Sequence, residues 1–520
     1  MNTKIISATT IGIDAFLVDV EVDLSLGMLQ FFIVGLPDTA IKESKQRIVT
    51  ALKNCGIKLP ERKITVNLAP ADLKKEGTLF DLPIALGILH AAGLCQTSDT
   101  FLKETIFIGE LSLDGSIKPA RGILSIAYDA ARLGKKRLIV PLENAQEASL
   151  IKNIEVIGAG HLTTLVAYLR GETTIEPTVS GFDVYHAARQ KYSVNFEQVK
   201  GQYQAKRALQ IAAAGRHNVL FIGSPGCGKS MLAQRLPTIM PPMNFDEIIE
   251  TTKIYSISGK LSGETLAVNR PFRSPHHTIS QAGLVGGGSN PQPGEISLSH
   301  NGILFLDELT EFKKTLLESL RQPLETKTVS IARAQQTITF PASFLLIAAL
   351  NPCPCGYLGD KRIKCTCMPT TIARYLEKLS GPFLDRMDIQ VNVASVDYET
   401  IANTSQHSSS EELYIQVEKA VQRQKNRFGS STDSVENCNQ WNAFMTSDQI
   451  EKHCQLSESA QEIIKKAFNR LHLSMRGYHK VLKVARTIAD LEEHDLIEET
   501  HMHEALSYRS LDYNKERKTT

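Results

Sequence analysis

The chain has no long apolar run. Its most hydrophobic stretch, Phe344-Leu-Leu-Ile-Ala-Ala-Leu350, falls far short of the roughly 20 residues that span a bilayer as a helix. The N-terminus has no basic segment leading into an uninterrupted apolar one. Asp14 and Asp19 break it up, so the expectation is a cytoplasmic protein without a secretory signal or a membrane partner. Charge of one sign is also scarce. The formal net charge is +2, which excludes bulk polyelectrolyte character, so any nucleic-acid surface must be local. Cysteines number nine in 520 residues. An odd, sparse set suits a reducing compartment rather than a disulfide scaffold. No short tandem repeat is present. What remains is ordinary globular material, 42% hydrophobic and 22% charged, long enough for about three or four domains.

Against this background one octapeptide is informative. Gly223-Ser224-Pro225-Gly226-Cys227-Gly228-Lys229-Ser230 fits the G-x-x-x-x-G-K-[ST] loop that wraps nucleotide phosphates. Asn218–Ile222 reads as a buried strand before it, and Met231–Leu236 as the start of a helix after it. The glycines let backbone N–H groups face the phosphates. Lys229 would reach the β- and γ-phosphates, and the Ser230 hydroxyl would hold Mg²⁺. Cys227 reads as a small residue that the loop tolerates.

Two apolar strands follow. Ile303-Leu-Phe-Leu306 ends in Asp307-Glu308, and Ser343–Leu350 ends at Asn351. Beside a phosphate loop, Asp307 would hold Mg²⁺ through water, Glu308 would polarise the attacking water, and Asn351 would orient it. Arg386 closes Gly381-Pro-Phe-Leu-Asp-Arg386, and Arg476 opens a helix at Ser474-Met-Arg476-Gly477. Phosphoryl transfer depends on electrostatic positioning, and an arginine supplied by a neighbouring subunit can stabilise its transition state. Arg476 at the helix corner can bridge a lid to the phosphates. Arg486, further along the same helix, reads as a packing or salt-bridge residue.

The organisation follows from periodicity. Residues 1–170 alternate strands (16–22, 64–68, 136–140) with helices (38–54, 81–92, 120–133), and a hairpin is expected over 106–115. Residues 171–195 read as a linker, 196–395 as the nucleotide-binding core, and 396–440 as a polar connection. Residues 441–511 read as a helical lid and 512–520 as a disordered tail.

Taken together these blocks resemble the AAA+ ATPases, and within them the magnesium-chelatase-like group and its ComM/YifB family. The likeness runs over nearly the whole chain: Phe196–Gln202, Phe272–Ser280, Leu284–Gly288, Pro293–Ser297, Asn351–Gly356 and Val484–Asp490. It implies an α/β multidomain fold, an AAA+ P-loop core with a helical lid. It also implies a self-assembled ring, usually a hexamer, with ATP sites between subunits. The family is associated with DNA branch migration in natural transformation, so single-stranded or branched DNA and recombination proteins are the implied partners. A magnesium-chelatase-like or protein-remodelling motor is the alternative. Lys75–Leu89, Ile108–Leu111 and Ile139–Asn144 resemble the proteolytic domain of Lon. In that alignment Leu79 stands at the nucleophile position and Leu124 at the base position, so peptide hydrolysis is not expected. Ser125 and Lys118, nearby, read as solvent-facing.

Three further features remain. Thr326–Phe340 alternates on either side of a turn, as a hairpin does, with Lys327 at its base and Arg333 near its tip. In related motors this hairpin enters the pore. A ring of such charges would bind phosphates without regard to sequence. The insertion Tyr255–Gln292 is made locally basic by Lys260, Arg270 and Arg273, with Lys260 and Arg273 expected as further DNA contacts, and its His276-His277 pair reads as hydrogen-bonding or packing. Cys353, Cys355, Cys365 and Cys367 frame a glycine-containing loop. They can close a tetrahedral zinc site or stand as reduced structural thiols.

Overall fold

The structure is a computed structural model. It describes all residues except 1, 29, 60–61, 72, 74, 76, 180–191, 262–265, 289–290, 333–336, 361, 397–407, 430–440 and 510–520. Arg333, the whole of the expected tail, and much of the expected linker and polar connection lie outside the described residues. Two compact units emerge. The first comprises residues 1–189 together with 245–268, the second 190–244 together with 269–520. The stretch 196–395, expected to form one core, therefore contributes Phe245–Val268 to the N-terminal unit. The helix Phe245–Ile257 buries Ile248, Ile249 and Ile254 there.

The N-terminal unit is built on a seven-stranded mixed sheet. Strands β1 (Asn2–Ile11), β2 (Asp14–Ser25), β3 (Gln30–Val34) and β4 (Lys63–Ala69) form one half. β5 (Thr105–Phe107) leads into a short hairpin, β6 (Glu110–Leu111) and β7 (Ile117–Lys118), then β8 (Arg137–Pro141) and β9 (Glu155–Ala159). The spatial order is β3-β4-β2-β1-β5-β8-β9. The expected hairpin over 106–115 is thus divided, with Thr105–Phe107 in the main sheet and only β6–β7 pairing as a hairpin. Alternation in β2 buries Val18, Val20, Val22 and Leu24. They face the helix Asp81–Ala91, which is buried nearly throughout because its sequence is apolar on every side. The helix Thr39–Asn54 starts where the Asp38 carboxylate accepts the Ile41 N–H at 2.8 Å. Its Arg47 grips the buried Asp81 through two bonds of 2.7 and 3.0 Å. Leu124 is buried and Leu79 half-buried. Ser125 is also fully buried, with no partner for its hydroxyl. This corrects the expectation that it faces solvent. It sits on the helix Ile123–Arg132, whose first turns point into the core.

The second unit carries a five-stranded parallel sheet in the order β11-β14-β17-β10-β18. These strands are β10 (Val219–Ile222), β11 (Phe272–Arg273), β14 (Ile303–Leu306), β17 (Leu345–Leu350) and β18 (Ile389–Asn392). Two small antiparallel pairs accompany it: β12 (Gly286–Gly287) with β13 (Gln292–Pro293), and β15 (Thr328–Ala332) with β16 (Thr337–Pro341). Fully apolar runs such as Leu345–Leu350 belong in a parallel sheet covered on both faces. The C-terminal helices Ser410–Phe428, Met475–Leu491 and Glu499–Ser507 extend that core through Val417, Val421, Ile488 and Met502. Arg486 is fully buried. It donates to the Asp490 carboxylate and to the carbonyls of His494 and Asp495, which makes it a structural residue.

A buried polar junction ties the last helices to the sheet. Asp388 accepts the Asn218 N–H at 2.9 Å and pairs with Lys480 Nζ at 2.8 Å. His217, fully buried, lies 3.9 Å from Asp388 and meets Thr487 Oγ1 at 2.8 Å. Burial pushes the His217 imidazole down to about 4, against the pull of Asp388 and with Lys483 and Lys480 adding to the push. Burial raises Asp388, but Lys480 and His217 outweigh it and hold the carboxyl at about 2. The two groups therefore act in different windows. As pH falls from 6.5 to 4 the unfolded chain takes up a proton that native His217 refuses, a loss of about 3 kcal/mol. Asp388 stabilises fully above 3.8 and loses its contribution as pH falls towards 2. Hydrogen exchange of the helix Met475–Leu491 at pH 7 and pH 4.5 checks this. Protection should fall in the wild type and fall distinctly less in His217→Gln.

Candidate active site

Parallel pairing brings the strand ends together. Ile222 stands opposite Leu350, and Leu306 opposite Ala348. Residues following β10, β14 and β17 therefore meet at one edge, the carboxyl edge where open α/β sheets bind ligands. There the phosphate loop, Asp307, Glu308, Leu350 and Asn351 line a cavity of about 310 Å³.

Each side chain has a defined place. Gly226 and Gly228 adopt φ of 77° and 95°, left-handed values that turn the loop and that glycine takes without strain. Lys229 Nζ donates to the carbonyls of Gly223 and Ser224 at 2.6 and 3.0 Å and to Asn351 Oδ1 at 3.1 Å. Burial lowers its ammonium pKa, opposed by Cys227 and Asp307. Burial likewise raises the Cys227 thiol, which argues against a reactive thiolate. Ser230 Oγ lies 2.5 Å from Asp307 Oδ2, and Asp307 Oδ1 accepts the Glu308 N–H at 2.9 Å. A hydroxyl and a carboxylate converging in this way are the hard oxygen donors that Mg²⁺ takes beside phosphates, so the residues fit that ion. Met231 lines the mouth.

Glu308 has φ 49°, a left-handed conformation that is uncommon for a non-glycine residue and marks a constrained site. Its side chain is 57% exposed, and His277 Nδ1 lies 3.3 Å from its carboxylate. The His277 ring lies tilted against His276, with ring centroids 4.0 Å apart, and meets Phe312 edge-on. The pair was expected to bond or pack; that one member reaches Glu308 follows only from β11 lying beside β14. A second cavity, of about 470 Å³, adjoins Glu308 and Asn351 and is lined on its far side by Arg374, Tyr375 and Lys378. Sequence reasoning did not single out these cations.

Neither Arg386 nor Arg476 lines the nucleotide cavity. Arg386 donates to the Glu325 carboxylate, to Pro382 O at 2.5 Å and to Arg321 O at 3.3 Å. Arg476, 71% exposed, approaches the same Glu325 at 3.7 Å. Glu325 thus gathers two arginines that lie 90 residues apart. Its only sequence signal was an acid just ahead of the hairpin.

The expected DNA contacts, and Arg270 beside them, divide. The β15–β16 hairpin forms as expected. Lys327 at its base places Nζ 4.2 Å from the Phe444 ring centroid. Lys260 is exposed. Arg273 gives Nε and Nη2 to Glu295 at 2.6 and 2.8 Å, where its charge is offset. Arg270 is buried against the carbonyls of Pro241, Pro242 and Asn301, a packing role rather than a surface one. Cys353, Cys355, Cys365 and Cys367 come together, with all four Sγ atoms within 4.8 Å of one another. Among the described residues no helix is long and apolar enough to cross a membrane.

The comparisons with known proteins agree with this geometry. Residues 195–401 match the family described as magnesium chelatase, subunit ChlI. Residues 20–144 match subunit ChlI of Mg-chelatase, and 407–509 the ChlI C-terminal region. The chain is 42% identical to Competence protein ComM of Haemophilus influenzae over 97% of both chains. It is 41% identical to the YifB protein of Salmonella typhimurium over 96% of both. The N-terminal part shows a partial likeness to Lon protease 2 of Bacillus subtilis, 29% over 116 residues, 22% of this chain and 20% of that one. Three matched regions in sequence order, near-complete coverage and the converging carboxyl edge lead to one conclusion: the chain belongs to the ComM/YifB family of magnesium-chelatase-like AAA+ ATPases.

Proposed function

We propose that this protein is a ring-forming ATP-driven motor that acts on single-stranded or branched DNA in recombination, each ATP site being completed by a neighbouring copy. The observation that carries the reading is the position of the arginines. The cavity holds Lys229, Asp307, Glu308 and Asn351 but neither Arg386 nor Arg476, which share Glu325 outside it. Among the described residues Lys229 is the one cationic side chain that lines this cavity, so an arginine supplied from elsewhere would add to the charge that offsets the γ-phosphate. Arg386, presented outside the cavity, is the arginine that a neighbouring copy would supply across an interface. The relative named for competence supports recombination as the setting, and the β15–β16 hairpin supports a pore contact. In that setting the N-terminal unit serves as a Lon-like scaffold without a nucleophile.

The chain's own groups divide the work. Lys229 exchanges its carbonyl and Asn351 partners for phosphate oxygens. Asn351, so released, and Glu308 orient and polarise the attacking water. Ser230 and Asp307 hold Mg²⁺, which neutralises phosphate charge when bound. His277 holds the Glu308 carboxylate in place between turnovers.

Two experiments follow. Lys229→Ala should abolish nucleotide binding, whereas Arg386→Ala should bind ATP normally and lose about a thousandfold in turnover. Mixing the two variants should restore hydrolysis at roughly one interface in four, since each supplies what the other lacks. No recovery on mixing, with ring assembly intact, would place Arg386 in its own site. Forked or four-way DNA should raise ATP turnover several-fold, less at higher salt, and Glu308→Gln should assemble with ATP without consuming it. Rings that form yet ignore DNA would move the reading to a protein-remodelling or chelatase-like motor.

A further inference from the structure

We propose that Cys353, Cys355, Cys365 and Cys367 bind one zinc ion, and that the loop closed by this ion grips the phosphate loop of the same chain, so that metal occupancy sets nucleotide affinity. The thiols have the required spacing. Sγ–Sγ separations are 3.3 Å for Cys353–Cys355, 3.7 Å for Cys353–Cys365 and 3.6 Å for Cys355–Cys365. Zinc–sulfur bonds of 2.3 Å at tetrahedral angles give edges of about 3.8 Å. Disulfides would need about 2.05 Å. Two backbone donors already aim at sulfur, Cys355 N–H to Cys367 Sγ and Cys367 N–H to Cys365 Sγ, both at 3.4 Å. Such bonds fix ligand orientation around a metal. Cys353 is buried and the other three are half-buried, shielded enough to hold an ion yet open enough to load one.

Between the second and third cysteines the chain has no apolar core of its own. Leu358 and Ile363 are 44% and 48% exposed, and none of the described residues there belongs to a helix or strand. The cysteines are what can hold it. It nevertheless presses on the nucleotide site. Gly356 lies so close to the phosphate loop that a Cβ there would come within 2.6 Å of Pro225 Cδ. Asp360 Oδ2 accepts the Ser224 hydroxyl at 2.8 Å, while Asp360 Oδ1 accepts the N–H groups of Arg362 and Ile363 at 2.8 and 3.2 Å. Two residues before Cys353, Asn351 accepts from Lys229. The four-sulfur loop therefore touches Ser224 and Pro225 of the phosphate loop, and the segment that leads into it reaches Lys229 through Asn351.

The test uses the full-length protein purified without chelator. Metal analysis should give about one zinc per chain, and a zinc-selective chelator, which leaves the free thiol of Cys227 unmodified, should release it stoichiometrically. Fluorescent ATP analogue should bind at least about tenfold more weakly after release. Asp360→Asn should keep its zinc and still weaken binding about tenfold, because only the charged acceptor on Ser224 is lost. Cys365→Ser/Cys367→Ser should lose the metal; circular dichroism of that variant checks its fold, and the chelator-treated wild type supplies the metal-free state without a substitution. Absence of zinc that persists after incubation with zinc sulfate, or stoichiometric iron in its place, overturns the site. Zinc that leaves without changing nucleotide affinity overturns the grip. Both readouts are independent of DNA and of ring assembly.

Discussion

Parallel strand register is the constraint on which the active site depends. Because β10 and β17 end level and β14 ends beside them, two residues short, three separate stretches of chain deliver a lysine, two carboxylates and an asparagine to one edge. The resulting contacts are short and mutual: Lys229 to Asn351, Ser230 to Asp307. A one-residue slip of β17 would turn Asn351 towards the opposite face and break the bond to Lys229. The fully apolar strands hold this register by burial on both faces, so the chemistry of the edge is set by the packing of the middle.

Much of this was legible in the sequence. The phosphate loop, the carboxylate strand and the asparagine strand announce themselves because each couples a fully buried apolar run to polar residues at its end. The β15–β16 hairpin was legible from period-two alternation, and Arg486 from its spacing along the helix that Arg476 opens. Partnerships between distant residues were not legible. His277 reaches Glu308 only because β11 lies beside β14, and Glu325 receives Arg386 and Arg476 through tertiary packing. Ser125 read as exposed because a lone serine in an amphipathic helix usually is; the structure turns it inward. Arg270 and Arg273 looked like a basic patch in one dimension, yet in three dimensions carbonyls and Glu295 absorb them.

The junction of His217, Asn218, Asp388 and Lys480 shows how the same packing relates separate stretches of the chain. Asn218 precedes the strand that leads into the phosphate loop, Asp388 follows Arg386 by two residues, and Lys480 follows Arg476 by four. A displacement of the last helices is therefore felt at both arginines and at the base of β10 together. Burial makes the junction costly to break, since Asp388 without Lys480 would be a charge stranded in an apolar interior.

The excursion of Phe245–Val268 has a consequence for how this polypeptide can be cut. The helix leaves the chain between the Lys229 helix and β11, yet its apolar residues are sheltered by the N-terminal unit. Removing the first 189 residues would not liberate a tidy ATPase module. It would leave Ile248, Ile249 and Ile254 naked to water in the middle of the remaining sequence, a sticky loop inviting aggregation. The two units are interleaved along the gene, and a recombination event that exchanges one for a foreign counterpart must swap both pieces of it at once.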